Sequence, residues 1–275
     1  MEIGTDGLWF RREEYDVPQH AAKSARLDPM TLVEGLRLAL GLAVLAGLST
    51  LIARRAAPAV GWLPVWALVR ACVQLAAVTA LLRGALSTPW LVAAFVALML
   101  STATWTAHRR LQGSWRPWLS AVAGVLSGSG AALALVFALH LVAFDDRHVI
   151  ATAGIVIGNS MSAATLSGRR FLIGSRERRD EIEGWLALGA TPRVAHADIA
   201  RSAVTEAVVP NLDQTKSTGL VTLPGAFVGA LFGGASPVQA AQFQLVVLAS
   251  IMLAMLVCGW VVTRLASETP YVIEG

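Results

Sequence analysis

Seven stretches of this chain each run for about twenty residues with almost no charge, enough to cross the hydrocarbon core of a bilayer as a helix. They cover residues 31–52, 62–82, 89–107, 118–141, 149–166, 209–232 and 238–262, and the fifth and sixth are the least apolar. Lipid offers a bare backbone no hydrogen bonds, so such segments fold as helices that satisfy their own amides. The expected class is all-α: a polytopic integral membrane protein with about seven transmembrane helices. Composition agrees. Only 15% of the 275 residues are charged, against about 25% in soluble domains, and mean hydropathy is +0.61.

Charge placement gives an orientation. A pI near 9.7 would suit nucleic acid, but the arginines flank apolar runs, and the positive-inside bias accounts for them without a nucleic-acid partner. With the N-terminus outside, inner segments hold Arg54 and Arg55, then Arg109, Arg110 and Arg116. The next holds Arg169, Arg170, Arg176, Arg178, Arg179, Arg193 and Arg201, and Arg264 follows the last span. Outer segments hold Arg83 and Arg147. Arg11, Arg12, Lys23 and Arg26 in the N-terminal tail weigh the other way, but less. The expectation is a multi-pass plasma-membrane protein, N-terminus outside and C-terminus cytoplasmic. The first residues are acidic and lack an apolar core, unlike a cleavable signal peptide, so the first apolar run acts as an anchor. The expected organisation is a polar extension over residues 1–30, one transmembrane domain over 31–265 and a tail over 266–275. Cys72 and Cys258 lie in apolar runs and read as buried small hydrophobes, not a disulfide.

Glycines recur at four-residue spacing in Gly124/Gly128, Gly154/Gly158 and Gly225/Gly229/Gly233. Such stripes let helix backbones approach closely, more often within one chain than between two.

A polar, helix-forming stretch, DEIEGWLALGATPRVA (residues 180–195), interrupts the apolar pattern. It sits in an inner loop of about residues 168–200. Ile182, Trp185, Leu186 and Gly189 share one face at i, i+3, i+4, i+7. Glu177, Asp180, Glu181 and Glu183 crowd the first turns, as the helix dipole favours. Gly189 is a C-terminal stop, and Pro192 prevents continuation. The expected product is a short surface helix with an exposed Trp/Leu ridge, which either docks a partner or lies on the lipid surface.

Glu183, Gly189 six residues on and Ile199 ten later resemble the "EAA" loop of ABC-transporter permeases, although that family's later Leu-Pro is absent. The flanks narrow the resemblance. GIVIGNSMSAATLSGRRF (residues 154–171), ALGATPRVA (187–195), GLVTLPGAFVGALFGGASPVQAAQFQLVV (219–247) and RACVQL (70–75) together look like the bacterial iron-export ABC permease family, FetB-like, whose plant relatives act in aluminium tolerance. The likeness covers about residues 31–264. It implies a permease domain whose coupling helix, with Glu183, Trp185, Leu186, Leu188 and Gly189, fits a groove on a separate ATPase. It also implies iron as the exported metal. The family often carries Met-Met-Thr after Leu-Pro-Gly, where this chain has Ala226, Phe227 and Val228, so it either handles a soft metal differently or carries another substrate.

The energy source lies elsewhere. DQTKST contains Lys216-Ser217 without the glycine-rich loop that cradles phosphate, so it is no Walker motif. This chain is expected to bind no cofactor. ATP and magnesium belong to the partner ATPase, and paired ATPases suggest a permease homodimer. No catalytic residue is expected.

Polar groups at membrane depth are expensive and read as candidates for the substrate route. Asn159, Ser160, Met161 and Ser162 offer hard oxygens and one soft thioether. Helix–helix hydrogen bonding explains them equally well. Glu206, Asn211, Asp213 and Lys216 surround Pro210, which is expected to kink its helix. A carboxylate there would receive a cation, or Asp213 and Lys216 simply neutralise each other at i, i+3. Met161, Asp213 and Glu206 are the candidate metal ligands. Arg70 with Gln74, and Glu34 with Arg37, read as internal pairs. His140, Asp145, Asp146 and His148 cluster near the outer face, as a release site for metal or an ordinary acidic loop. His108 and His196 are expected to be solvated. The competing functions are an ABC permease for another solute, such as a nucleotide-sugar-like molecule, and an ATP-independent channel or secondary carrier. The latter would usually show paired broken helices in matching halves, whereas the Pro/Gly breaks here gather in the last third.

Overall fold

The computed structural model describes residues 32–85, 89–114 and 116–269. The 1–30 extension, the first residue of the first expected span and residues 270–275 of the tail lie outside them. The described residues form ten helices and no strand, so the protein is an all-α polytopic membrane protein. The helices are α1 (Leu32–Ala56), α2 (Leu63–Ala85), α3 (Pro89–Arg110), α4 (Pro117–Ala138), α5 (Asp146–Glu177), α6 (Arg179–Ala187), α7 (Pro192–Ala195), α8 (Ala197–Ser217), α9 (Gly225–Phe232) and α10 (Pro237–Ala266). Six of them, α1 to α5 and α10, are long and apolar enough to cross a membrane.

The chain divides into two units. In the first, α1 and α2 form a helical hairpin, turned at Gly61 with positive φ and closed by the Arg54 guanidinium over the Trp62 ring at 5.4 Å. Large apolar side chains point outward along both helices, as lipid permits. Cys72 is among the exposed residues and does not pack inside the unit as expected. Arg70 and Gln74 are exposed as well.

In the second unit, α5 and α10 are the central helices, and α3, α4, α8 and α9 pack around them. The main core joins Ala103 and Ala107 of α3, Ala121 and Val125 of α4, and Ile157 and Ala164 of α5 to Val208 of α8 and Met255 of α10. Small residues dominate because dispersion at short range holds apolar helices together in lipid. The Gly124/Gly128 stripe is an internal seam. A Cβ at Gly128 would lie 2.5 Å from the Ala254 carbonyl oxygen, and one at Gly124 2.4 Å from Val262. Cys258, fully buried as expected, donates across the interior to the Ser160 carbonyl at 3.1 Å.

Two expectations change. The fifth span does not end near residue 166. α5 runs for 32 residues, about 48 Å, and carries Arg169, Arg170 and Arg176 past the hydrocarbon as helix, so the first third of the expected loop is helical. The sixth expected span, 209–232, is not one helix. α8 ends at Ser217, where the Val221 amide bonds back to the Ser217 carbonyl at 3.0 Å and Gly219 takes φ +93°. Pro224 then caps the eight-residue α9. Gln244 of α10 accepts the Phe227 amide at 3.1 Å, satisfying a first-turn donor that lipid would strand. Pro210, expected to kink its helix, lies within α8.

The glycine seam predicts an asymmetry between neighbours. Gly128→Ala drives a methyl into backbone and should destabilise the protein by about 1–3 kcal/mol. Gly130→Ala, which meets nothing within 4 Å, should be neutral or slightly stabilising. Thermal unfolding of the two variants in detergent separates them.

Candidate functional site

The polar segment after α5 folds onto a small core of its own. Phe171 and Leu172 of α5, Ile182 of α6, Ala195 of α7 and Ile199 and Ala203 of α8 bury one another, with Leu186 packed against them. α6 ends as the sequence predicts. Gly189 takes φ +86°, its amide bonds the Leu186 carbonyl, and the Ala190 amide bonds the Trp185 carbonyl, both at 3.0 Å. That double closure is a Schellman motif.

The expected ridge is divided. Ile182 is buried and Leu186 half-buried, so they anchor the helix, whereas Trp185 and Leu188 stay exposed at 46% and 83%. The expected exposed Trp/Leu ridge is thus corrected at Leu186: packing it with Ile182 against the small core stabilises the helix on its own protein. Glu183 is held by Arg179 at 2.7 Å and Glu181 by Arg178 at 3.8 Å, both within exposed helix.

His196 departs furthest from expectation. It is 1% exposed, stacked on Phe171 with centroids 5.5 Å apart. Its Nδ1 lies 2.8 Å from the Pro192 carbonyl, which can only accept, so Nδ1 carries the proton. Nε2 is buried without a partner. Burial pushes the imidazole pKa down from its ordinary value, against the opposing Pro192 hydrogen bond. His108, also expected in solvent, is half-buried in the last turn of α3, edge-on to Trp118 at 5.3 Å.

The membrane-depth candidates lie on α5 and α8, which pack directly together. Asn159 is half-buried and donates to the Ile155 carbonyl at 2.8 Å. Ser160 is buried with no partner for its hydroxyl, while Ser162 bonds the Gly158 carbonyl at 3.1 Å. Met161 packs against the main core, as does Leu212 beside Asp213. Asp213 and Lys216 pair at 3.0 Å on the exposed side of α8. Glu206 pairs with Arg170 at 3.0 Å, joining α8 to α5. Half-buried Asn211 leaves its side-chain Oδ1 unpartnered, while its backbone carbonyl accepts from the Thr215 hydroxyl at 2.8 Å. At the opposite end of α5, Asp145 caps the helix. Burial works to raise its pKa, but the His148 amide at 2.9 Å and imidazole at 2.8 Å outweigh that and hold it below the usual value. Among the described residues no three His, Cys, Asp or Glu side chains gather as a metal site, so the outer His140, Asp145, Asp146 and His148 cluster is not assembled into one.

The Arg170–Glu206 bridge and the His196 stack had no signal in the sequence. Each joins residues on separate helices whose register only packing sets.

The histidine geometry predicts a pH dependence. The folded pKa is below the unfolded 6.5, so the neutral ring's contribution is complete above about pH 6.5 and is lost as pH falls through the folded pKa. Thermal unfolding from pH 8 to 5 should show a steeper acid loss in wild type than in His196→Phe, which keeps the stack on Phe171.

No solved structure matches the chain. It is similar to the rice UPF0014 membrane protein STAR2 (Oryza sativa subsp. japonica), 34% identical over 68% of this chain and 66% of that protein. It is 34% identical to Protein ALUMINUM SENSITIVE 3 of Arabidopsis thaliana, over 58% of each chain. It is 32% identical to the Probable iron export permease protein FetB of Escherichia coli K12, over 78% of this chain and 82% of that one. The chain thus spans less than two thirds of the Arabidopsis protein and about two thirds of the rice one. Residues 36–271 match the model of the Uncharacterised protein family (UPF0014), and the chain belongs to that family of membrane proteins.

Proposed function

We propose that this chain is the membrane-spanning permease subunit of an ABC transporter that exports a metal ion, with iron the leading candidate, using ATP hydrolysed by a separate subunit docked on α6. The observation that carries this is the division of α6: Ile182 and Leu186 root it in α5, α7 and α8, while Trp185 and Leu188 are offered outward. A helix lying on lipid would have turned its whole apolar face outward. A rooted helix with two exposed apolar anchors passes force from a docked partner into α5 and α8, the helices that carry the membrane-depth polar groups. The likeness to the probable iron export permease of Escherichia coli supports the metal and the direction. Two permease copies would match a pair of ATPases.

Charge and the meeting of helix ends both support the proposed orientation, N-terminus outside and C-terminus cytoplasmic. The end of α10 and the start of α8 line one cleft, and His148 at the start of α5 meets Phe243 near the start of α10 at 5.9 Å. If α10 crosses the bilayer, the chain also crosses between Arg201 and Pro237. α8, 21 residues and about 31 Å, is long enough. Its charges keep it out of the apolar six. The basic ends of α3, α5 and α10 then share the cytoplasmic side, with the N-terminus outside.

Trp185→Asp should leave the protein in the plasma membrane but abolish co-purification with the ATPase. In a background lacking Cys72 and Cys258, Val238→Cys should react with an impermeant maleimide on whole cells and Leu188→Cys should not. A complex that survives Trp185→Asp with unchanged ATP turnover would sink the docking role. Labelling at Leu188 would reverse the orientation.

For the substrate route we propose Asn159, Ser160, Met161 and Asp213, with Asp213 attracting the cation and Glu206 guarding the approach. The Asp213–Lys216 pair is exposed, and such pairs are worth only about 0–1 kcal/mol, so a divalent ion can displace the ammonium. Metal-stimulated ATPase activity of the reconstituted complex tests this. Asp213→Asn and Met161→Leu should lose stimulation while basal turnover persists. Full stimulation in both would leave Asp213 a structural partner of Lys216.

A further inference from the structure

A cleft of about 590 Å³ opens between the start of α8 and the end of α10. Arg193, Arg201 and Arg264 line it, with Trp260, Val204 and Thr263. Its polarity is graded. Trp260, 58% exposed, and Val204 belong to the apolar end, and within two turns of α10 the lining becomes Arg264 and Ser267. Tryptophan beside arginine at the end of a span marks the boundary between hydrocarbon and headgroups.

The charges do not cancel. Arg201 pairs with Asp198 at 2.8 Å and Arg193 pairs with Glu268, while the Arg264 guanidinium lies over the Trp260 ring at 5.5 Å and, among the described residues, forms no salt bridge. Glu268 is held below the usual carboxylate range, first by its Arg193 hydrogen bond and then by the fields of Arg193, Arg116 and Arg264. Three arginines line the cleft and no carboxylate is among its lining residues. Ala197, Ala200 and Arg201 of the first turn of α8 line it too, and no side chain caps that helix start.

We propose that this cleft binds the phosphate of an anionic phospholipid headgroup, with Arg264 and Arg201 as its principal contacts and the acyl chains passing along Trp260 and Val204. A free phosphate would use the arginines but has no use for the apolar half. A bound lipid would tie Arg193, four residues past Gly189, to the last span, and so stiffen the segment that holds α6.

The test uses the full-length chain, delipidated in detergent, with bound lipid counted by native mass spectrometry. Phosphatidylglycerol should bind at least about fivefold more tightly than phosphatidylcholine, and Arg264→Gln and Arg201→Gln should each weaken it about fivefold, the scale for one basic residue at a membrane surface. Arg147→Gln, at the other end of the bundle, should bind as wild type. Arg264→Lys, which keeps the charge but loses the fork, should fall between, showing that the site and not the fold was lost. Equal binding of the two lipids, or unchanged phosphatidylglycerol binding in both glutamine variants, would overturn the proposal. Displacement of phosphatidylglycerol by inorganic phosphate at equal concentration would overturn the lipid as the source of the phosphate.

Discussion

The contact on which the second unit depends is the backbone-to-backbone approach of α4 and α10. At Gly128 there is no room for a methyl group before the Ala254 carbonyl. In lipid this closeness is the attraction itself, because hydrocarbon tails solvate leucine as well as protein does and only dense packing favours helix over lipid. The seam leaves α10 a fixed wall. Cys258 on that wall reaches the Ser160 carbonyl, and Val262 meets the same core as Leu111 and Ala164.

From this wall the polar end of the molecule is assembled. α5 continues beyond the hydrocarbon and presents Phe171 and Leu172, around which α6, α7 and the first turns of α8 close. His196 completes that core as a neutral ring with one bare nitrogen, an arrangement stable only while the ring stays uncharged. The small core makes α6 a projection of the transmembrane helices. Displacing Trp185 must displace Ile182, and with it α5 and α8.

The opposite problem arises at the break between α8 and α9. Chain that leaves a helix at membrane depth strands its amides. Here the Ser217 carbonyl closes the turn, and Gln244, 96% buried among apolar neighbours, covers the start of α9. A buried glutamine on a span of mean hydropathy 2.7 would look costly in isolation. Its acceptor role explains its place.

Much of this was legible in the sequence for reasons local to it. Long apolar runs must be helices in lipid, Gly189 must stop α6, because it alone tolerates the left-handed turn there, and the Gly124/Gly128 stripe marks close packing, whereas Gly158, Gly225 and Gly229 meet nothing within 4 Å. The Asp213–Lys216 pair followed from helical spacing alone. What the sequence could not reach were contacts between distant elements: which half of the α6 ridge is buried, that α5 runs on past residue 166, that Arg170 meets Glu206, that His196 is enclosed and that three arginines line one cleft with Trp260. Helical periodicity says which residues share a face, and nothing about which neighbour covers it. That is decided by the register in which helices pack, and here the register is set by the missing side chains of Gly124 and Gly128, which let α4 and α10 meet at one fixed height.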